Sequence, residues 1–122
     1  MSAHTPGRLL VVDDNRVNRL LLVQGLEQEG HDVASAENGR EALEMLRSRP
    51  FDLLLLDIWL SGWLGRDICI YLKSQEATKH FPIILVSANK DTENIAREAG
   101  ADDFLTKPFE LDELLAKLER YL

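Results

Sequence analysis

The chain has 122 residues, an apolar fraction of 45% and a formal net charge of −7. That length suits one domain able to bury its own core, and the acidic balance argues against direct binding to nucleic acid or to an anionic membrane. No stretch approaches the ~20 consecutive apolar residues of a membrane span, Met1 to Gly7 lacks a signal-peptide pattern, and the single cysteine, Cys69, rules out an internal disulfide. These features fit a cytoplasmic protein in which Cys69 is a buried small hydrophobe.

Strands and helices are expected to alternate along the chain. Met1 to Gly7 reads as a flexible segment and 8–122 as one domain. Arg8 to Val12 is a strand, and Asn15 to Glu29 a helix stopped by Gly30. His31 to Ala36 is a weaker strand that suits a sheet edge. Asn38 with Glu41 resembles a capping box opening a helix to Arg49, which Pro50 ends. Leu53 to Leu56 is a strand apolar on both faces. A loop over 58–64 leads to a helix at Gly65 to Ser74. Pro82 opens the strand Ile83 to Val86. Asp91 to Ala99 is a short helix closed by Gly100. Asp103 to Thr106 is the last strand, and Glu110 to Leu122 an amphipathic helix with leucines at 111, 114, 115, 118 and 122. Such alternation predicts a parallel sheet with helices on both faces and right-handed crossovers.

Polar residues sit where strands end, the edge at which open α/β folds bind ligands. Asp13 and Asp14 close the first strand and Asp57 follows the third. Ser87 and Ala88 follow the fourth, and Lys107 with Pro108 the fifth. If the first and third strands are neighbours, three carboxylates converge and repel unless a cation lies among them. Carboxylate oxygens suit Mg²⁺. An aspartate can attack phosphorus to form an acyl phosphate. A hydroxyl, an amide and an ammonium can hold the phosphoryl oxygens.

Val11-Val12-Asp13-Asp14-Asn15, Leu56-Asp57, Val86-Ser87-Ala88 and Lys107-Pro108-Phe109, with Gly100-Ala101-Asp102-Asp103-Phe104-Leu105 before the last, resemble the receiver domain of two-component response regulators. The resemblance runs from Arg8 to Leu122. It implies a flavodoxin-like, doubly wound (βα)5 three-layer sandwich with strand order 2-1-3-4-5. It implies that Asp57 accepts a phosphoryl group from a histidine kinase or phosphotransfer protein. Asp14 would bind Mg²⁺ directly, Asp13 through water, and the Trp59 carbonyl would be a further ligand. Ser87, the Ala88 amide and Lys107 would hold phosphoryl oxygens. Phe104 would be the switch aromatic, and the Lys107-Pro108 bond cis. The family phosphorylates and dephosphorylates itself only in a limited sense, so a signalling domain rather than an enzyme is implied, acting through a downstream protein target. With no output domain after Leu122, either a single-domain regulator or the receiver part of a larger protein is expected.

The loop after Asp57 departs from the family. A Met-Pro pair is replaced by Leu60-Ser61, and an Asp-Gly pair by Leu64-Gly65. Loss of the proline, with Gly62, predicts a more flexible loop. Both tryptophans, Trp59 and Trp63, lie in it. The Trp59 indole either shields the acyl phosphate from water or packs on a neighbouring loop. Trp63 and Leu64 either cover the start of the third helix or form a docking patch. His4, His31 and His80, with no metal-ligand spacing, read as surface or turn residues. Most of Leu20-Leu21-Leu22-Val23 reads as core, with part left for a partner or second subunit. Asp102, Asp103, Arg97, Lys117 and Arg120 resemble a charged face through which receivers form homodimers.

Two other functions compete. An aspartyl-phosphate phosphatase needs a second acid two places past the nucleophile, where Trp59 stands. A receiver-like module indifferent to phosphate would be expected to lose an acid or the acceptor, and all are kept.

Overall fold

The computed structural model describes residues 7–60 and 62–122. Met1 to Pro6, with the flexibility expected of them, and His4 lie outside those residues, as does Ser61. Gly7 is hydrogen-bonded at both backbone groups, its N–H donating to His31 Nδ1 at 3.1 Å and its carbonyl accepting from Asp32 at 3.0 Å.

Five strands and five helices alternate: β1 (Arg8–Val12), α1 (Arg16–Gln28), β2 (Asp32–Ala36), α2 (Gly39–Ser48), β3 (Leu53–Asp57), α3 (Gly65–Lys73), β4 (Ile83–Ser87), α4 (Thr92–Ala99), β5 (Asp103–Thr106) and α5 (Leu111–Tyr121). All strand pairs are parallel, in the order β2-β1-β3-β4-β5. The chain therefore has the doubly wound, flavodoxin-like fold that the strand-helix alternation and the resemblance implied. The weak strand β2 sits at an edge, as its composition suggested.

Sheet alternation splits the core into two layers. Leu10, Val12, Leu54, Leu56, Ile83 and Leu85 face α2, α3 and α4 in one; Leu9, Val11, Leu53, Leu55, Ile84 and Val86 face α1 and α5 in the other. Burying each leucine contributes roughly 1.5–3 kcal/mol, and together they hold the strand ends in fixed register.

Helix ends follow local chemistry. Asn15 and Asn38 side chains accept from the Asn18 and Glu41 amides at 3.0 and 2.9 Å. Glu110 and Glu113 complete a capping box at α5 that the sequence reading overlooked. Gly65 packs so tightly that a Cβ there would lie 2.0 Å from the Asp57 carbonyl oxygen, which explains a glycine directly behind the site.

Three expectations need correction. His31 is buried, not a surface residue: its ring sits under the chain entering β1 and accepts the Gly7 amide. Leu20 and Leu21 are 49% and 61% exposed rather than core; on this helix Leu22 and Leu26 pack into the core, a narrower stripe than the composition suggested. Of the five charged residues expected on one face, only Asp103, Lys117 and Arg120 meet. Asp102 pairs with Lys73 because successive residues at the start of β5 point to opposite sides, and Arg97 pairs with Glu93 one turn away on α4. Exposed His80 and buried Cys69 match their readings. Burial pushes the Cys69 thiol up to about 11, which keeps it protonated and unreactive.

Candidate functional site

Asp57 is the last residue of β3 itself, one place earlier in the fold than a position just past the strand. Asp13 and Asp14 follow β1, Ser87 closes β4 and Lys107 follows β5. Because β1, β3 and β4 are consecutive in the sheet, their ends meet. Oxygens of Asp13, Asp14 and Asp57 all lie within 4.8 Å of one another. Asp13 and Asp57 are buried and Asp14 is exposed. Lys107 reaches over the sheet edge, with Nζ 2.8 Å from Asp57 Oδ2 and 3.1 Å from Asp13 Oδ2.

One ammonium thus bridges two buried carboxylates, with a third close by. Burial pushes the Asp57 carboxyl above its usual range; bonds from Lys107 and the Trp59 amide oppose this, and the charge of Asp13 adds to it. At Lys107 burial pulls downward, but the bonds and charges of Asp57 and Asp13 outweigh it and hold the ammonium above its usual value. The two shifts disagree on whether the pair is satisfied. The lysine has two acceptors and is satisfied. Asp57 has a donor on each oxygen, yet burial outweighs them and the charge of Asp13 adds to it. A hard cation on oxygen ligands would remove the deficit, so the donor set fits Mg²⁺.

The loops around the carboxylates are braced. Asp13 Oδ1 accepts from the Asn15 amide at 2.9 Å, and Arg19 Nη1 donates to the Asp13 carbonyl at 2.7 Å. Arg19 escaped the sequence reading; its only signal was a place one turn past the Asn15 cap. Thr92, fully buried, was also missed: its hydroxyl donates to the Asn89 carbonyl at 2.5 Å and braces the loop after Ser87. Ala88 is exposed directly beyond β4. Phe104 is half-buried against the α2–α4 layer, with Lys117 Nζ 4.8 Å from its ring centroid. The Lys107-Pro108 bond is cis.

The aberrant loop contributes directly. The Trp59 amide donates to Asp57 Oδ1 at 3.0 Å, and its indole Nε1 donates to Ser87 Oγ at 2.9 Å. Trp63 is 59% exposed and, with Arg40 and Arg47 of α2, lines a groove of about 570 Å³. A second groove, of about 360 Å³, runs beside Lys107 between Asn18, Leu21 and Leu22 of α1 and the Pro108-Phe109 turn.

The model of the response regulator receiver domain matches residues 9–119. The chain belongs to this family. A Picosynechococcus protein described as a transcriptional regulatory protein is 43% identical over 97% of this chain and 50% of its own length. The phosphate regulon transcriptional regulatory protein PhoB of Pseudomonas aeruginosa is 38% identical over 93% of this chain and 51% of its own length. The receiver domain therefore spans about half the length of these curated relatives. The chemotaxis response regulator CheY4 of Vibrio cholerae superposes with a TM-score of 0.88 at 29% identity, covering 97% of this chain and all of that one. No helix among the described residues is long and apolar enough to cross a membrane.

Proposed function

We propose that Asp57 accepts a phosphoryl group from a histidine kinase or histidine phosphotransfer protein and that the domain is a signalling switch rather than an enzyme. The convergence of three carboxylates at the strand ends, with Lys107 on Asp57, carries this reading, because it sets a buried, nucleophilic oxygen in a donor set that suits a hard cation. The Asp57 carboxylate attacks phosphorus, a P–O bond forms and the P–N bond to the donor imidazole breaks. The electron pair leaves with the imidazole, which takes up a proton. Asp13, Asp14, Asp57 and the Trp59 backbone carbonyl would hold Mg²⁺, which supplies positive charge against the phosphoryl oxygens. Lys107 pairs with one phosphoryl oxygen, and the Ser87 hydroxyl and Ala88 amide hold the others. Phe104 then turns inward and carries the change to a downstream target.

Exposed Val17, Leu20 and Leu21 flank the site and offer the donor protein an apolar seat. Relatives named as transcriptional regulators support a cytoplasmic role within a longer protein, where segments outside these residues would contact DNA and the acidic receiver would not. Homodimerisation is proposed through the face carrying Asp103, Lys117 and Arg120.

The test is intact mass after incubation with acetyl phosphate and Mg²⁺. One phosphoryl group is expected on the native chain, and none on Asp57→Asn or without Mg²⁺. No gain by the native chain would favour a phosphate-independent interaction module.

A further inference from the structure

Trp59 uses both of its N–H groups on the site, the amide on Asp57 Oδ1 and the indole on Ser87 Oγ. One residue therefore bridges the phosphoacceptor and the hydroxyl. Its side chain is not fixed by burial, since Trp59 is 51% exposed; the hydrogen bond is what aims the ring.

A serine hydroxyl has two acceptor lone pairs and one proton. At Ser87 both acceptor positions are taken, by the Trp59 indole at 2.9 Å and by the Asn89 amide at 3.0 Å. The two donors come from different loops, after β3 and after β4, and hold the buried hydroxyl from two sides.

We infer that the Trp59 indole is a latch on Ser87: it holds the hydroxyl in the resting state and gives it up when Ser87 turns to a phosphoryl group on Asp57. The inference rests on the phosphoacceptor reading of Asp57. A bond made only in the resting state biases the switch against phosphorylation by its own net worth. For a neutral, half-exposed hydrogen bond that is about fivefold, the equivalent of ~1 kcal/mol. Trp59 is thus a positioning residue, acting through Ser87.

The experiment compares initial rates of phosphoryl gain, read by intact mass at fixed acetyl phosphate and Mg²⁺, in the native chain, Trp59→Phe, Ser87→Ala and the double variant. Phenylalanine keeps the aromatic cover and deletes the N–H. Trp59→Phe is expected to gain phosphoryl about fivefold faster than the native chain, and the same change in the Ser87→Ala background to do nothing. An equal or slower rate in Trp59→Phe overturns the latch. So does an equal acceleration in both backgrounds, which would mean that Trp59 acts without Ser87. Those results leave native phosphorylation intact and strike the latch alone. No gain in the native chain, or gain that persists in Asp57→Asn, overturns the receiver reading and the latch together.

Discussion

Two aspartate clusters stand at opposite edges of the same parallel sheet. At the edge where β5 begins, Asp103 receives Lys117 at 2.7 Å, Tyr121 Oη at 3.1 Å and Arg120 at 3.5 Å, while Asp102 receives Lys73 at 2.7 Å. Cations match or outnumber the acids there. Burial raises the Asp103 carboxyl, but the Lys117 bond, the Phe104 amide and the remaining partners outweigh it, so the group sits below its usual range. At the other edge Asp13 and Asp57 share Lys107, an Asp14 oxygen lies within 4.8 Å of both, and burial holds Asp57 above its usual range. The residue types are the same. Depth of burial and the number of donors on each carboxylate separate the two clusters.

The contrast can be broken by substitution. The largest effect is expected at Lys107→Ala, which removes the only ammonium hydrogen-bonded to Asp57 among the described residues; phosphoryl gain should fall ~10²-fold in a mass-spectrometric time course. Asp103→Asn should leave phosphoryl gain unchanged and lower stability by about 1–2 kcal/mol in neutral denaturant titrations. The sign follows from the lowered native pKa. Asp103 contributes stability above the usual carboxylate range, and that contribution is lost as pH falls through the native value. Asp57→Asn should do the reverse and stabilise the fold by roughly 1 kcal/mol at neutral pH. Because the native pKa of Asp57 is raised, the native state binds its proton more tightly than the unfolded chain does. Stability is therefore lost as pH rises from the usual carboxylate value through the native one, and the advantage of asparagine should fade below about pH 4.

Much of this was legible in the sequence. Apolar runs ending in Asp13, Asp57 and Ser87 reveal both the strands and their functional edge, since runs buried on both faces belong in the interior of a doubly wound sheet. Side-chain direction was not legible. Nothing in spacing says that the indole of Trp59 turns to Ser87, or that Asp102 and Asp103 part toward different lysines, because those contacts join elements distant in sequence. Exposure of Leu20 and Leu21 was hidden for a related reason: composition gives the amount of apolar surface on α1 but not the width of the stripe that docks.

The central claim is that Asp57, buried where the acidic strand ends meet, is the phosphoacceptor. Borohydride reduces an acyl phosphate to an alcohol, so trapping the acetyl-phosphate-treated chain and sequencing its peptides reads the acceptor directly. The account predicts homoserine at position 57 and nowhere else. Homoserine at 13, 14 or 103, or at no position in a chain that has gained phosphoryl mass, would contradict it.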